Sequence, residues 1–110
     1  MLERKVVEND IYVLSKAFAL RIVNLYKFLT EQKHEYIISK QLLRSGTSIG
    51  ANVHEAKNAQ SRPDFSSKMN ISLKEASESG YWLDLLYDAD YITKKLMILY
   101  LMIVNIYKLF

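Results

Sequence analysis

Apolar residues recur along this chain at intervals of three and four, and strand-like alternation is scarce. That period places them on one side of an α-helix. Ile11, Leu14, Phe18, Ile22, Leu25 and Leu29 form the first stripe. It predicts a helix from Asp10 to near Glu31, with Asn9 or Asp10 as its N-cap. A polar break follows at Thr30-Glu-Gln-Lys-His34. A second helix is expected over Glu35–Asn58, where Leu42, Ser45, Ile49, Val53 and Ala56 share one side. Ser61-Arg-Pro-Asp64 is the clearest punctuation. Ser61 suits a cap, Pro63 a first turn, and Asp64 the positive end of a helix dipole. The third helix then runs from Pro63 to near Asp88. Phe65, Met69, Leu73, Ala76, Leu83 and Leu86 or Tyr87 mark its apolar side. Asp88-Ala-Asp90-Tyr-Ile-Thr93 forms the last turn, and Thr93 caps a fourth helix that begins at Lys94.

Four helices with short connections imply an all-α, up-down-up-down four-helix bundle, a single domain over residues 1–110. That length suffices for one modest domain. All four segments carry apolar stripes, which excludes a two-helix hairpin with a disordered remainder. The fourth helix is apolar almost all round from Leu96 to Val104. A helix of that kind needs cover on every side, or lipid. The run is well short of the roughly 20 residues of a membrane span, and Asn105 and Lys108 interrupt any extension. No membrane role is expected, and a neighbouring subunit is the economical cover.

The segment Arg44-Ser-Gly-Thr-Ser-Ile-Gly-Ala-Asn-Val-His-Glu-Ala-Lys57 reads as a loop by composition and as a helix by spacing. Gly46 and Gly50 stand four apart, with Ser45, Ser48 and Ala51 nearby. A mid-helix glycine costs about 1 kcal/mol relative to alanine, a cost that persists where backbones approach closely. Close helix packing at Gly46 and Gly50 is therefore expected, within the bundle or between subunits. A phosphate loop is not: no strand precedes the segment and the Gly-Lys-Ser/Thr ending is missing. Arg44, Ser48, Asn52 and Glu55 line another side of the same helix. Glu75, Glu78, Ser79 and Trp82 cluster on the third. Where these faces meet, Arg44 is expected to pair with a carboxylate, with Asn52 and the serines satisfying the remaining donors.

A carboxylate pair can serve acid–base chemistry, but the pattern supplies neither a cleft nor a histidine partner, so no enzymatic activity is expected. Glu31-x-x-His34 has the spacing of a di-iron ligand pair, yet such sites need two of these motifs in mid-helix. No metal or other cofactor is expected, and His34 and His54 are read as surface residues. The absence of cysteine removes disulfides, thiolate metal sites and cysteine nucleophiles. Met1-Leu-Glu-Arg-Lys-Val-Val-Glu lacks an apolar signal core, so a cytoplasmic location is expected.

The net charge is +3. Residues 1–60 carry 9 Lys/Arg against 6 Asp/Glu, whereas residues 61–110 carry 6 of each. Lys16, Arg21, Lys27, Lys33, Lys40 and Lys57 dot the first two helices, with Tyr12, Tyr26 and Tyr36 nearby. On a monomer this is an ordinary solvated face. An oligomer multiplies each charge, which makes RNA or DNA the leading partner. A protein partner with no nucleic-acid binding is the alternative.

The Arg44–Ala56 segment is followed by Ser61-Arg-Pro-Asp-Phe65, Lys68-Met-Asn-Ile71, Lys74-Glu-Ala-Ser-Glu78 and Tyr81-Trp-Leu83. In that order the motifs resemble the bacterial four-helix-bundle family encoded in intervening sequences of large-subunit ribosomal RNA genes. The resemblance covers nearly the whole chain and is densest from Gln41 to Leu86. It implies an up-down bundle that assembles into a ring, typically a homopentamer, without enzymatic activity. The chain is also similar to the accessory protein of diversity-generating retroelements, which implies nucleic acid and a protein as candidate partners. The family's typical polar positions fall on Arg44, Ser48, Asn52, Glu55, Glu75 and Glu78.

Overall fold

The computed structural model describes the backbone of residues 2–108 and the side chains of residues 11–101 and 104. Four helices follow one another: α1 (Leu2–Glu31), α2 (Ile38–Lys57), α3 (Arg62–Asp88) and α4 (Lys94–Lys108). There is no strand among the described residues. No helix of the described chain is long and apolar enough to cross a membrane.

The helix ends show how the sequence punctuates itself. Ser61 Oγ accepts from the Asp64 N–H at 3.2 Å, and Asp64 Oδ2 accepts from the Gln60 N–H at 3.3 Å. These reciprocal bonds satisfy donors that the first turn of α3 leaves open. Thr93 Oγ1 caps α4 by accepting from the Leu96 N–H at 3.2 Å. Asp90 ends α3 in the left-handed region, with φ 66. The Tyr91 N–H then reaches the Leu86 carbonyl at 2.9 Å and the Asp90 N–H reaches Tyr87 at 3.0 Å, the bond pair of a Schellman motif.

Two expected boundaries are overturned. Asn9 and Asp10 lie inside α1, which begins at Leu2. Leu2, Val6 and Val7 continue the three-and-four spacing upstream, and Asn or Asp inside a helix costs under about 1 kcal/mol. Glu35, expected as the start of α2, instead precedes it and caps it. Its buried carboxylate accepts from the N–H groups of Ile37 (3.0 Å), Ile38 (2.9 Å) and Ser39 (2.6 Å). A negative charge there also meets the positive end of the α2 dipole.

Burial pushes the Glu35 carboxyl up, but the N–H groups of Ile38, Ser39 and Ile37 hold it below its ordinary 4.5. A depressed folded-state value adds stability above 4.5 that is lost as pH falls through that lower value. Glu35→Gln is expected to cost about 1 kcal/mol near neutrality. Thermal melts taken down to about pH 3 should show a shallower acid limb for this variant than for wild type. An unchanged acid limb would remove Glu35 from the cap.

The core holds Phe18, Ile22, Leu25 and Leu29 of α1, Leu42, Ile49, Val53 and Ala56 of α2, and Ala76, Leu83 and Leu86 of α3. Ile92, Tyr100 and Val104 complete it. Ile11 and Leu14 pack against it while partly buried. Phe65 departs from its expected place and is 38% exposed. Ser72 and Ser79 occupy buried positions on α3 instead, because a close α2–α3 approach favours small side chains.

Consecutive helices run antiparallel. Ile22 faces Gly46 while Ser15 faces Gly50, and Ser45 meets Ser79 while Ile49 meets Ser72. α4 returns along α3, with Leu101 opposite Gly80. It also reaches α1, where the Phe18 and Tyr100 rings meet edge-on with centroids 6.1 Å apart. Tyr100 Oη donates to the Arg21 carbonyl at 3.0 Å. Ile98 and Leu99 of α4 remain part-exposed, consistent with the all-round apolar pattern; Met102, Ile103, Asn105 and Lys108 lie outside the described side chains.

Candidate functional site

Both faces of the Arg44–Lys57 segment touch neighbouring helices. Its glycine side meets α1. A methyl group at Gly46 would lie 2.8 Å from Ile22 Cγ1 and 2.9 Å from Cγ2. At Gly50 it would lie 3.2 Å from the Ser15 carbonyl oxygen. Neither neighbour yields easily: Ile22 is fully buried and branched at Cβ, and the Ser15 oxygen is backbone. The close packing is therefore within the bundle.

The polar side meets α3. Arg44 Nη1 lies 3.2 Å from Glu75 Oε2, and Arg44 Nη2 bonds to Glu78 Oε1. The Trp82 indole N–H donates to the same Glu78 oxygen at 3.2 Å. The Arg44 hydrogen bond holds the Glu78 carboxyl below its usual range despite some burial, and the indole assists. One turn inward, Ser79 Oγ lies 2.9 Å from Ser45 Oγ, and Ser72 Oγ donates to the Ile49 carbonyl at 3.0 Å. These buried hydroxyls tie the two helices together where the backbones are close.

The expected network is brought together in part. Ser48 and Asn52 do not bridge to α3. Ser48 Oγ donates to the Arg44 carbonyl at 2.6 Å, and Asn52 Nδ2 to the Ser48 carbonyl at 2.8 Å. Short polar side chains reach their own helix one turn back more readily than a neighbour. Glu55 forms a separate bridge, its carboxylate 3.1 Å from Lys68 Nζ. Lys68 was not anticipated, although its acid–base match with Glu55 was visible in the sequence.

Arg44 is half-exposed, with 49% of its side chain open to solvent. Its ion pairs therefore contribute on the order of 1 kcal/mol. Arg44→Ala is expected to lower the melting temperature by about 4–8 °C, leaving Glu75 and Glu78 unopposed. Unchanged melting would show that the cluster does not support the fold.

The six basic residues do not converge. Lys16, Arg21, Lys27, Lys33, Lys40 and Lys57 are all exposed. Lys33 Nζ stands 5.8 Å from the centre of the Phe28 ring, and Lys57 Nζ 5.2 Å from that of Tyr12. Those two rings are sixteen residues apart in α1, or about 24 Å along the helix. His34 and His54 are exposed too, as expected. An open apolar groove of about 360 Å³ lies on the outside of α1, lined by Val13, Lys16, Ala17 and Leu20.

The family model of 23S rRNA-intervening sequence proteins matches residues 7–109. The chain belongs to the 23S rRNA-intervening sequence protein family. A solved structure of a protein of unknown function from the S23 ribosomal protein family, from Bacteroides thetaiotaomicron, is similar to it throughout. The two are 51% identical with a TM-score of 0.90, over 91% of this chain and 89% of the other. Among curated proteins, none matches. This intervening-sequence family member thus shares its overall fold with that structure. Sequence reading placed Ser45 on the α2 stripe and Ser79 in the α3 cluster but missed Ser72, because serine breaks an apolar stripe in print, although its spacing with Ala76, Leu83 and Leu86 is helical.

Proposed function

We propose that this family member is a non-enzymatic binding protein that works as a homo-oligomer, a cytoplasmic pentameric ring presenting basic side chains to RNA or DNA. The observation that carries this reading is uncovered apolar surface. Val13 and Leu20 on the outer side of α1 are 67% and 63% exposed, and Ile98 and Leu99 on α4 are each 43% exposed. A second copy of the chain would remove these side chains from water at about 25 cal/mol per Å². The ring size follows the family resemblance. Nucleic acid is supported by the positive net charge, which assembly multiplies fivefold. A reading without catalysis is supported by the employment of the carboxylates: Glu75, Glu78 and Glu55 in ion pairs, Glu35 and Asp64 in caps. The dispersal of the lysines favours a second reading, an adaptor that docks another protein.

Light scattering is expected to give five times the 12.8 kDa chain mass, and Leu20→Glu to give a smaller species. A monomer at micromolar concentration would overturn the assembly. Binding to a labelled oligonucleotide at low salt should weaken steeply as salt rises; its absence would favour the adaptor.

A further inference from the structure

We infer that α1 of one copy docks on α3 of the next, with Tyr81 seated in the groove between Val13, Ala17 and Leu20 and Asp88 meeting Lys27. This pairing rests on the homo-oligomer reading above and names the two surfaces that meet. Within one chain α1 packs on α2, α2 on α3 and α3 on α4, and Tyr100 of α4 bonds back to α1. α1 and α3 are therefore diagonal, and their outward faces lie on opposite sides of the bundle. On α1, Phe18 and Ile22 point inward, while Val13 and Leu20 are 67% and 63% exposed. On α3, Ala76 and Leu83 point inward, while Tyr81 is 60% exposed. Trp82 meets the Tyr81 ring edge-on, with centroids 5.0 Å apart, and steadies one side of it. Tyrosine anchors protein interfaces well, because a large apolar ring ends in a hydroxyl that can stay wet. The α1 groove, about 360 Å³, has room for such a ring, since Ala17 contributes only a methyl group between Val13 and Leu20.

Charge selects a second copy as the occupant. Residues 11–30 of α1 carry three bases and no acid, whereas residues 75–90, the second half of α3 and its turn, carry five acids and no base. Beyond these stretches lie Asp10 and Glu31 on α1 and Lys74 on α3. Arg44 engages Glu75 and Glu78. Asp84, Asp88 and Asp90 are exposed and, among the described residues, form no ion pair, not even with Lys94 and Lys95 of α4. One chain thus carries a basic apolar face and an acidic aromatic face on opposite sides, and complementary charge of this kind fixes register. The spacing agrees. α1 and α3 run in the same direction, and rotation about an axis along the helices preserves direction, so the two meet parallel. Leu20 precedes Lys27 by seven residues and Tyr81 precedes Asp88 by seven, about 10.5 Å along each helix. Because the two faces differ, the contact is head-to-tail and repeats from copy to copy until a ring closes. Lys16 and Lys27 then face a neighbouring copy rather than nucleic acid.

The test is light scattering of wild type, of variants and of their mixtures. Leu20→Glu and Tyr81→Glu should each lose the wild-type mass. Leu20→Glu keeps its α3 face and Tyr81→Glu keeps its α1 groove, so an equimolar mixture should recover one interface and stop at a heterodimer of twice the 12.8 kDa chain mass. Lys27→Glu should also lower the mass, and Asp88→Lys added in the same chain should restore it. All these positions are exposed, so circular dichroism should show wild-type helix content and separate assembly from folding. If wild type assembles but Tyr81→Glu keeps the full mass, or the two variants stay apart when mixed, this pairing alone is overturned. Full mass for Lys27→Glu overturns the Asp88 contact. Wild type that is monomeric at micromolar concentration overturns the homo-oligomer reading, and the pairing with it.

Discussion

Phe18→Ala is expected to destabilise the fold by about 3–5 kcal/mol. Phe18 is 1% exposed, belongs to the common core, and meets Tyr100 of α4 edge-on. Truncation removes a ring that the surroundings cannot refill, because the neighbours are anchored separately. Tyr100 is held by its hydrogen bond to the Arg21 carbonyl at 3.0 Å, and Ile22 is wedged against Gly46. The loss therefore includes the transfer of the ring and the cavity it leaves. The edge-on contact with Tyr100, at 66° between the rings, goes with it. Chemical denaturation of the purified protein measures the effect as a lower midpoint at similar slope. A change below about 1 kcal/mol would mean that α4 does not close over Phe18.

Gly46→Val is expected to cost about 3 kcal/mol, with the same measurement. Any Cβ at position 46 enters Ile22, whose Cγ1 would be 2.8 Å away. Valine adds two further carbons at a point where α1 and α2 have no slack. Its helix propensity exceeds that of glycine, but the gain is only about 0.5 kcal/mol. Gly80 provides the opposite sign. A Cβ there would meet only Leu101 Cδ2, at an ordinary 3.6 Å. Gly80→Ala should therefore stabilise α3 by up to about 1 kcal/mol. Equal effects at the two glycines would contradict the close α1–α2 approach.

Much of this fold was legible in the sequence because burial follows helical period so closely. On α2 the stripe Leu42, Ser45, Ile49, Val53 and Ala56 is buried throughout. Ser61, Pro63 and Thr93 act where their side-chain chemistry requires. The misses have physical causes. Glu35 reads as the first residue of α2 because its role depends on three N–H groups that converge only after the chain turns. Asp10 looked like a start because a cap and a tolerated helix residue are the same amino acid in print. Phe65 continues the apolar spacing of Met69 and Leu73, yet in the first turn of α3 it stays 38% exposed. For the candidate site, Arg44 with Glu75 and Glu78 was readable from spacing. The inward-curling Ser48 and Asn52 were not, because a side chain's choice between its own helix and a neighbour depends on fractions of an ångström.

The bond from Tyr100 to the Arg21 carbonyl joins residues 79 positions apart. Contacts between successive helices span far less chain: Arg44 and Glu78 are 34 apart, Ile49 and Ser72 only 23. Closing a loop costs entropy that rises with the logarithm of its length, and early contacts shorten the loops still to be closed. The chain can thus fold as a succession of hairpins, each nucleated on the one before. Docking of α4 onto α1 would come last, after three helices already provide the surface that receives it. On the ribosome this order coincides with the order of synthesis, so each helix emerges to find its partner already made.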